Sequence, residues 1–161
     1  MTLTKPKLHT PVDIVFVFRR FEVPRERLFS AWTDPRALQC WFGPQEATTV
    51  NAEVDLRVGG RYRFTMQTGE QGTVCVHGSY REIVFPDKLV FTWVLDEQGC
   101  EGSEGIQAET LVTIEFVDVE GATQVRLTHE GLPTEKSRQG HAAGWESTLD
   151  CLREYILRGQ I

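Results

Sequence analysis

Residues 144–156 read Gly-Trp-Glu-Ser-Thr-Leu-Asp-Cys-Leu-Arg-Glu-Tyr-Ile, and this stretch decides the fold. Its apolar side chains follow one another at spacings of four, three and four residues, through Trp145, Leu149, Leu152 and Ile156. These spacings place all four on one face of an α-helix. Most of the chain before this stretch is patterned as β-strands, so we expect one long helix to lie across a sheet.

The flanks of this stretch predict where the helix begins and ends. We expect it to begin after Pro133, with Thr134 as the N-cap and Glu135 in the first turn, and to run close to Ile161. The charged residues of the helix lie outside the apolar stripe, which predicts a solvated outer face. Within residues 144–156 they are Glu146, Asp150, Arg153 and Glu154.

Six β-strands are predicted before this helix, at 48–56, 61–66, 73–84, 88–95, 109–117 and 123–130. Glycine, proline and acidic residues separate them, which favours sequential antiparallel hairpins, and the polar segment 96–109 is expected to be a mobile connection. Alternation gives each strand one apolar side that should face the helix. The inward residues would be Val50, Ala52, Val54, Leu56, Tyr62, Phe64, Met66, Leu89, Phe91, Trp93, Leu95, Val112, Ile114, Phe116, Val125 and Leu127.

The first part of the chain predicts one more strand and two short helices. Residues 13–18 alternate and are rich in β-branched and aromatic side chains, which indicates a strand. Pro24 is expected at the first position of a short helix, and Asp34 as the N-cap of a second one with Pro35 at its first position. Gly43-Pro44 should end the second helix. The expected architecture is therefore α+β, with a two-helix elbow after the first strand.

Length and charge limit the possible functions. The 161 residues suit one domain, 1–161, of a size that buries roughly 70% of the surface of the unfolded chain. Seventeen Lys and Arg against 23 Asp and Glu give a net charge of −6, and no basic run exceeds Arg19-Arg20. The electrostatic footprint of a nucleic-acid-binding protein is missing, so we predict no nucleic-acid partner.

The cysteines and the N-terminal residues bear on metal sites and on location. Cys40, Cys75, Cys100 and Cys151 lie far apart without a CxxC spacing, so we predict reduced thiols, no zinc site and no disulfide framework. We also predict no other metal and no cofactor, because no motif for either is present. The apolar run 12–18 is too short for a membrane span and comes late for a signal peptide. We expect a cytoplasmic protein without membrane insertion.

Several short motifs occur in an order and spacing that are typical of one protein family. They are Phe21-Glu22-Val23-Pro24, residues 28–35, Trp41-Phe42-Gly43-Pro44, Gly59-Gly60-Arg61-Tyr62, Tyr80-Arg81-Glu82-Ile83, residues 89–93, Thr128-His129 and Gly144-Trp145. Together they resemble proteins similar to the activator of the 90-kDa heat shock protein ATPase. The resemblance covers nearly the whole chain, from about residue 12 to 157.

This resemblance implies the helix-grip fold of the START-like or SRPBCC superfamily, in which a curved antiparallel sheet wraps a long C-terminal helix. Members commonly hold an apolar cavity between sheet and helix, and they transport, sense or convert small apolar molecules. In the eukaryotic activator, this domain is attached to another domain and stimulates a chaperone ATPase. The resemblance therefore also implies a role in the stress response. We expect this chain to be a single START-like domain with its core at about 12–157.

Aromatic side chains that point inward, with a few polar groups among them, are the usual lining of a small-molecule site. The candidate ligand-binding residues are Trp41, Tyr62, Phe64, Met66, Phe91, Trp93, Ile114, His129, His141, Trp145 and Leu149. The same pattern also fits a filled core, because packed interiors leave few voids. The residues leave both alternatives open, and the resemblance favours the cavity.

Two histidines are the polar candidates. His129 shares a strand face with Val125 and Leu127, so it should point inward, either toward a ligand or as a hydrogen-bonded core residue. His141 precedes Trp145 by one helical turn and should lie at a pocket mouth or at an ordinary boundary of the core.

Three functions remain open at this point. The favoured one is non-catalytic binding of a lipid-like or polyketide-like molecule. The second is a cyclase- or hydrolase-like enzyme in the same pocket, with His129 or Tyr80 as the proton-transfer group. The sequence identifies no nucleophile for it, and its catalytic residues stay unknown. The third is an interaction domain that stimulates a chaperone ATPase through an exposed patch. An exposed edge strand would also allow a homodimer.

Overall fold

One antiparallel sheet curves around a C-terminal helix in the computed structural model, which describes residues 14–69, 72–96 and 109–159. Over these residues the sheet has the strand order β1-β7-β6-β5-β4-β3-β2. The predicted α+β helix-grip fold, with two short helices after the first strand, is confirmed. The elements are β1 (Ile14–Phe21), α1 (Arg25–Thr33), α2 (Pro35–Trp41), β2 (Ala47–Val54), β3 (Arg61–Thr68), β4 (Gly72–Val84), β5 (Lys88–Asp96), β6 (Thr110–Val119), β7 (Ala122–Glu130) and α3 (Glu135–Leu157).

Some predicted features lie outside the described residues. They are the first two residues of the apolar run 12–18, Cys100, the connection 97–108 and the chain end at Ile161. Within the described ranges, no helix has both the length and the apolar character that crossing a membrane requires.

Local capping chemistry starts the helices. The side chain of Thr134 accepts a hydrogen bond from the backbone N–H of Ser137 at 3.0 Å, and that of Asp34 accepts one from the N–H of Arg36 at 3.0 Å. Both N-caps were predicted from the residue types, and both are confirmed. Pro24 is the N-cap of α1 instead of its first residue, because its backbone is extended.

The core lies between α3 and the concave face of the sheet. Trp145, Leu149 and Leu152 of the predicted stripe are at most 3% exposed, and Ile156 is half-buried at its end. These side chains belong to one cluster with the inward residues of the strands, as the alternation predicted. The strand residues in this cluster include Phe64, Met66, Phe91, Trp93, Val112, Ile114, Phe116, Val125 and Leu127.

The predicted inward face of β2 is wrong at two of its four residues, Val50 and Leu56, whereas Ala52 and Val54 do belong to the core side. Val50 is 46% exposed and Leu56 is 42% exposed, whereas Thr49 is 3% exposed. The register between β2 and β3 shifts between Thr49 and Asn51, which is a β-bulge that turns Val50 outward. The strand also ends at Val54, so Leu56 lies beyond it. Alternation of apolar and polar residues along the sequence does not reveal the extra residue of a β-bulge.

The prediction of reduced thiols is wrong at one position. Cys40 and Cys151 are free, but Cys75 is disulfide-bonded. Spacing along the chain does not reveal such a bond, because a disulfide depends on the proximity of two cysteines in space. Because disulfides are rare in the reducing cytoplasm, the cysteines no longer support a cytoplasmic location. That location stays a prediction.

Arg19 joins β1 to α3 through a small network of charges. Its side chain is 16% exposed and donates hydrogen bonds to Asp150 Oδ1 at 2.7 Å and to Glu146 Oε1 at 2.8 Å. The neighbouring Arg20 instead pairs with Glu22 in the solvent, with side chains 52% and 75% exposed. Partly buried, charge-assisted bonds contribute more than exposed ion pairs, so Arg19 stabilises the contact between β1 and α3.

Replacing this arginine tests that contribution. We expect Arg19→Ala to lower the free energy of unfolding by about 1–2 kcal/mol, because two charge-assisted hydrogen bonds between elements are lost. The matched variant Arg20→Ala should lower it by less than about 0.5 kcal/mol. Urea unfolding followed by far-UV circular dichroism measures both values. Equal losses in the two variants would show that the Arg19 network contributes nothing special.

Candidate functional site

A cavity of about 800 Å³ opens between α3 and one end of the sheet. The first half of α3 and the loop before it form one side of the cavity. The ends of β3 and β5, the beginnings of β2, β4 and β6, and the loop after α2 form the other side. The volume is in the range of sites that hold small organic molecules. The opposite end of the core, around α1, is packed.

The structure separates the predicted site residues into two groups. Met66, Trp93, His141 and Trp145 line the cavity. The others are buried in the core without lining it: Trp41, Tyr62, Phe64, Phe91, Ile114, His129 and Leu149. Three of these, Tyr62, Phe64 and Phe91, surround a gap of about 10 Å³, which has room for about one water molecule.

Two glycines inside α3 face the cavity. Gly140 and Gly144 are one helical turn apart and both line the open space. A methyl group at either position would meet no side chain or strand atom within 4 Å. Glycine inside a helix is unfavourable by roughly 0.5–1 kcal/mol relative to alanine. The helix therefore carries its least favourable residues where they leave the cavity open.

His129 lies directly behind the cavity wall and is fully buried. The indole Nε1–H of Trp145 donates to His129 Nδ1 at 3.0 Å, and His129 Nε2 lies 2.8 Å from Thr110 Oγ1. Thr110 Oγ1 in turn donates to the carbonyl oxygen of Trp93 at 3.0 Å. Because an indole can only donate, Nδ1 is the acceptor and the proton of the neutral ring is on Nε2. Each polar side-chain atom in this series of hydrogen bonds, from Trp145 through His129 to Thr110, therefore has a partner.

Burial, together with the nearby His141, lowers the pKa of His129 to about 3. The hydrogen bonds agree with this direction, because a proton on Nδ1 would face the N–H of Trp145. His129 is thus neutral near pH 7, and both of its ring nitrogens are occupied. Its geometry is that of a positioning group for Trp145 and Thr110.

His141 forms a second pair with an indole, on the cavity wall itself. Trp93 Nε1 donates to His141 Nε2 at 3.3 Å, so the His141 Nδ1–H donates to the carbonyl oxygen of Ser137 at 2.9 Å. The ring centroids of Trp93 and Trp145 are 4.8 Å apart, and those of His129 and His141 are 5.0 Å apart. We call Trp93, His141 and Trp145 the Trp–His wall, and His129 lies directly behind it. The indole donors of this wall are used within the protein, so the wall offers ring surface to a ligand.

The second proton-transfer candidate lies elsewhere. Tyr80 does not line the cavity, and burial raises the pKa of its phenol well above the ordinary value. Neither Tyr80 nor His129 therefore faces the open space with a group that titrates near neutral pH. Within the described ranges, no three His, Cys, Asp or Glu side chains lie together in a way that could hold a metal ion.

Most residues of the cavity lining were not predicted from the sequence. The lining residues that were not predicted include Phe42, Thr110, Lys136, Ser137, Gly140, Gly144 and Thr148. Most of them are small or polar, and they belong to helix turns and strand ends, where apolar periodicity gives no signal. Gly140 and Gly144 do give a signal in the sequence, because glycines four residues apart inside a predicted helix indicate a face without side chains.

Comparisons with known proteins agree with this architecture. Residues 22–156 match the family model described as activator of Hsp90 ATPase homolog 1-like protein. A crystal structure from Chromobacterium violaceum is similar, with 24% identity and a TM-score of 0.78 over 89% of this chain and 96% of that chain. An AHSA1 protein from Silicibacter pomeroyi has 25% identity and a TM-score of 0.77 over 91% and 99% of the two chains. An AHSA1-like protein from Aeromonas hydrophila has 22% identity and a TM-score of 0.68 over 90% and 94%. No curated protein matches the sequence.

The buried imidazole predicts a specific pH dependence of stability. Below the ordinary histidine pKa of about 6.5, the unfolded chain binds a proton at His129 that the folded chain excludes. The stabilisation by neutral His129 is therefore complete above about pH 6.5 and falls as the pH is lowered toward 3. This group should contribute a slope of up to about 1.4 kcal/mol per pH unit.

The variant His129→Gln lacks this titration and keeps one donor and one acceptor. We expect its free energy of unfolding to fall less steeply with decreasing pH than that of the unmodified protein, over about pH 6 to 4.5. Urea unfolding at a series of pH values gives both slopes, and the comparison cancels the titration of shared carboxylates. Identical slopes would contradict a buried, neutral His129.

Proposed function

The chain belongs to the family of activator of Hsp90 ATPase homolog 1-like proteins, and from that premise we propose that it binds a small apolar or aromatic molecule between α3 and the sheet without converting it. The observation that carries this proposal is the 800 Å³ cavity behind a helix whose glycines face open space. A cavity of this size is typical of sites that hold a small organic molecule, which supports the proposal.

The wall favours a ligand with an aromatic part. Phe42 lies beside the Trp–His wall, with its ring centroid 6.2 Å from that of Trp145 and 6.4 Å from that of Trp93. Three large rings thus border one space. Each well-placed contact between aromatic rings adds about 0.5–1.5 kcal/mol beyond the burial of apolar area.

The hydrogen-bond pattern supports binding over catalysis. Proton transfer requires a group whose pKa lies near the working pH and which reaches the ligand. The pKa of His129 is far below that range, and both nitrogens of the ring have protein partners. Tyr80 lies in the packed end of the core. The two groups suggested for an enzyme are therefore poorly placed for one.

Filling the cavity tests the proposal. We expect Gly144→Leu to weaken binding of the neutral fluorescent probe N-phenyl-1-naphthylamine by about tenfold or more, because the new side chain would occupy the open space. The control is Ala143→Leu, which adds a leucine at the exposed neighbouring position of the same helix and should leave the affinity unchanged. Fluorescence titration gives the affinities, and circular dichroism checks that each variant is folded.

Two results would contradict the cavity as the binding site. One is probe binding that is equally strong in Gly144→Leu and in the unmodified protein. The other is the absence of any binding by the unmodified, folded protein across a small library of neutral aromatic compounds.

A second candidate function is stimulation of a chaperone ATPase, and two observations favour it. The matched family is described by that activity. In addition, Phe16 and Phe18 are each 56% exposed beside Ile14 on the edge strand β1, with ring centroids 5.5 Å apart. Exposed apolar groups of this kind are typical of protein contacts. The two edge strands of the described sheet, β1 and β2, would allow a homodimer, which light scattering would detect.

The ATPase rate of a 90-kDa heat shock chaperone from the same organism distinguishes this candidate. Stimulation by the unmodified protein, lost in the double variant Phe16→Ser and Phe18→Ser, is the result expected of an interaction domain. The Gly144→Leu variant is the control, because it changes the cavity and leaves the β1 surface intact. An unchanged ATPase rate on adding the protein would remove this candidate.

A further inference from the structure

The depth of the cavity offers few unused polar groups. Thr110 Oγ1 is held between His129 and the carbonyl oxygen of Trp93, and Thr148 Oγ1 donates to the carbonyl oxygen of Gly144 at 2.7 Å. The indole N–H groups of the Trp–His wall have imidazole partners. A polar ligand group buried here would lose its hydrogen bonds to water and gain few in return, which is costly. The deep part therefore suits the apolar part of a ligand.

The mouth of the cavity is different. Lys136, in the first turn of α3, is the one formally charged side chain among the described lining residues. It is exposed and takes part in none of the ion pairs found over the described ranges. The positions three and four residues away are Leu132, Pro133, Gln139 and Gly140, so its helical neighbours supply no carboxylate.

The distribution of charge along the cavity points to the polarity of the ligand. We propose that the ligand is an amphipathic organic acid, an inference that rests on the proposed function. Its aromatic or apolar body lies against the Trp–His wall, and its carboxylate meets the ammonium group of Lys136 at the mouth. Ser137 also lines this end of the cavity, and its hydroxyl would be a second donor to the carboxylate.

Competing ligand chemistries fit less well. An organic cation would meet Lys136 with the same charge, and no carboxylate among the described residues lines the cavity to offset that repulsion. A neutral alcohol would fill the same space but would lack the stronger, charge-assisted hydrogen bond. Since the net charge of the chain is −6, its overall field does not attract anions, and the preference must arise locally at Lys136.

Three compounds with one naphthyl body test the inference. They are 2-naphthylacetic acid, 2-(2-naphthyl)ethanol and 2-(2-naphthyl)ethylamine, each measured by displacement of N-phenyl-1-naphthylamine at low salt. We expect the acid to bind roughly three- to tenfold more tightly than the alcohol, and the amine to bind most weakly. Lys136→Gln should remove the difference between acid and alcohol by weakening binding of the acid much more than binding of the alcohol. The control Lys88→Gln makes the same charge change at the opposite end of β5 and should preserve the difference.

The outcomes separate this inference from the proposed function. Equal affinities for acid and alcohol would overturn the organic acid, and an acid preference that persists in Lys136→Gln would overturn Lys136 as its partner. Either result leaves the cavity as a binding site. An equal loss of affinity for both compounds in Lys136→Gln would show that the residue acts through the structure of the mouth, which also overturns Lys136 as the partner of the acid. Failure of all three compounds and of the neutral probe to bind would overturn the proposed function together with this inference.

Discussion

The hydrogen bond from the indole of Trp145 to His129 is the interaction on which the rest of the site depends. It joins α3 to β7 where the packed core meets the cavity. The same imidazole contacts Thr110 on β6, and Thr110 contacts the carbonyl oxygen of Trp93 on β5. One neutral ring thus connects the helix to three strands. That connection holds α3 against the sheet beside the cavity, because moving the helix away would break the hydrogen bond between Trp145 and His129.

The two halves of α3 have different tasks. The half after Trp145 packs Leu149 and Leu152 against the sheet, and these leucines have no exposed surface. The half before Trp145 places Gly140 and Gly144 toward the cavity, where alanine would be better for the helix alone. The helix is thus less stable at the positions that keep the cavity open, which is a common trade-off in proteins.

Local rules predicted the frame of the molecule but not the shape of its interior. The stripe at Trp145 and the N-cap at Thr134 depend on near neighbours in sequence, and both are confirmed. The β-bulge that turns Val50 outward depends on pairing with β3, which the residue pattern does not contain. Phe64 and Met66 share one strand face, yet Phe64 packs against Phe42 with ring centroids 4.8 Å apart while Met66 lines the cavity. Whether an inward residue is packed or open depends on what lies across from it.

The most direct test of the account follows the four indole N–H signals by ¹H–¹⁵N nuclear magnetic resonance during titration with N-phenyl-1-naphthylamine. Trp93 and Trp145 line the cavity, whereas Trp32 and Trp41 pack against each other with ring centroids 4.9 Å apart and do not line it. If the ligand binds between α3 and the sheet, the Trp93 and Trp145 signals shift saturably and much more than the signals of Trp32 and Trp41. Saturable binding with the main shifts at Trp32 and Trp41, or with no indole shift at all, would contradict a ligand site between α3 and the sheet.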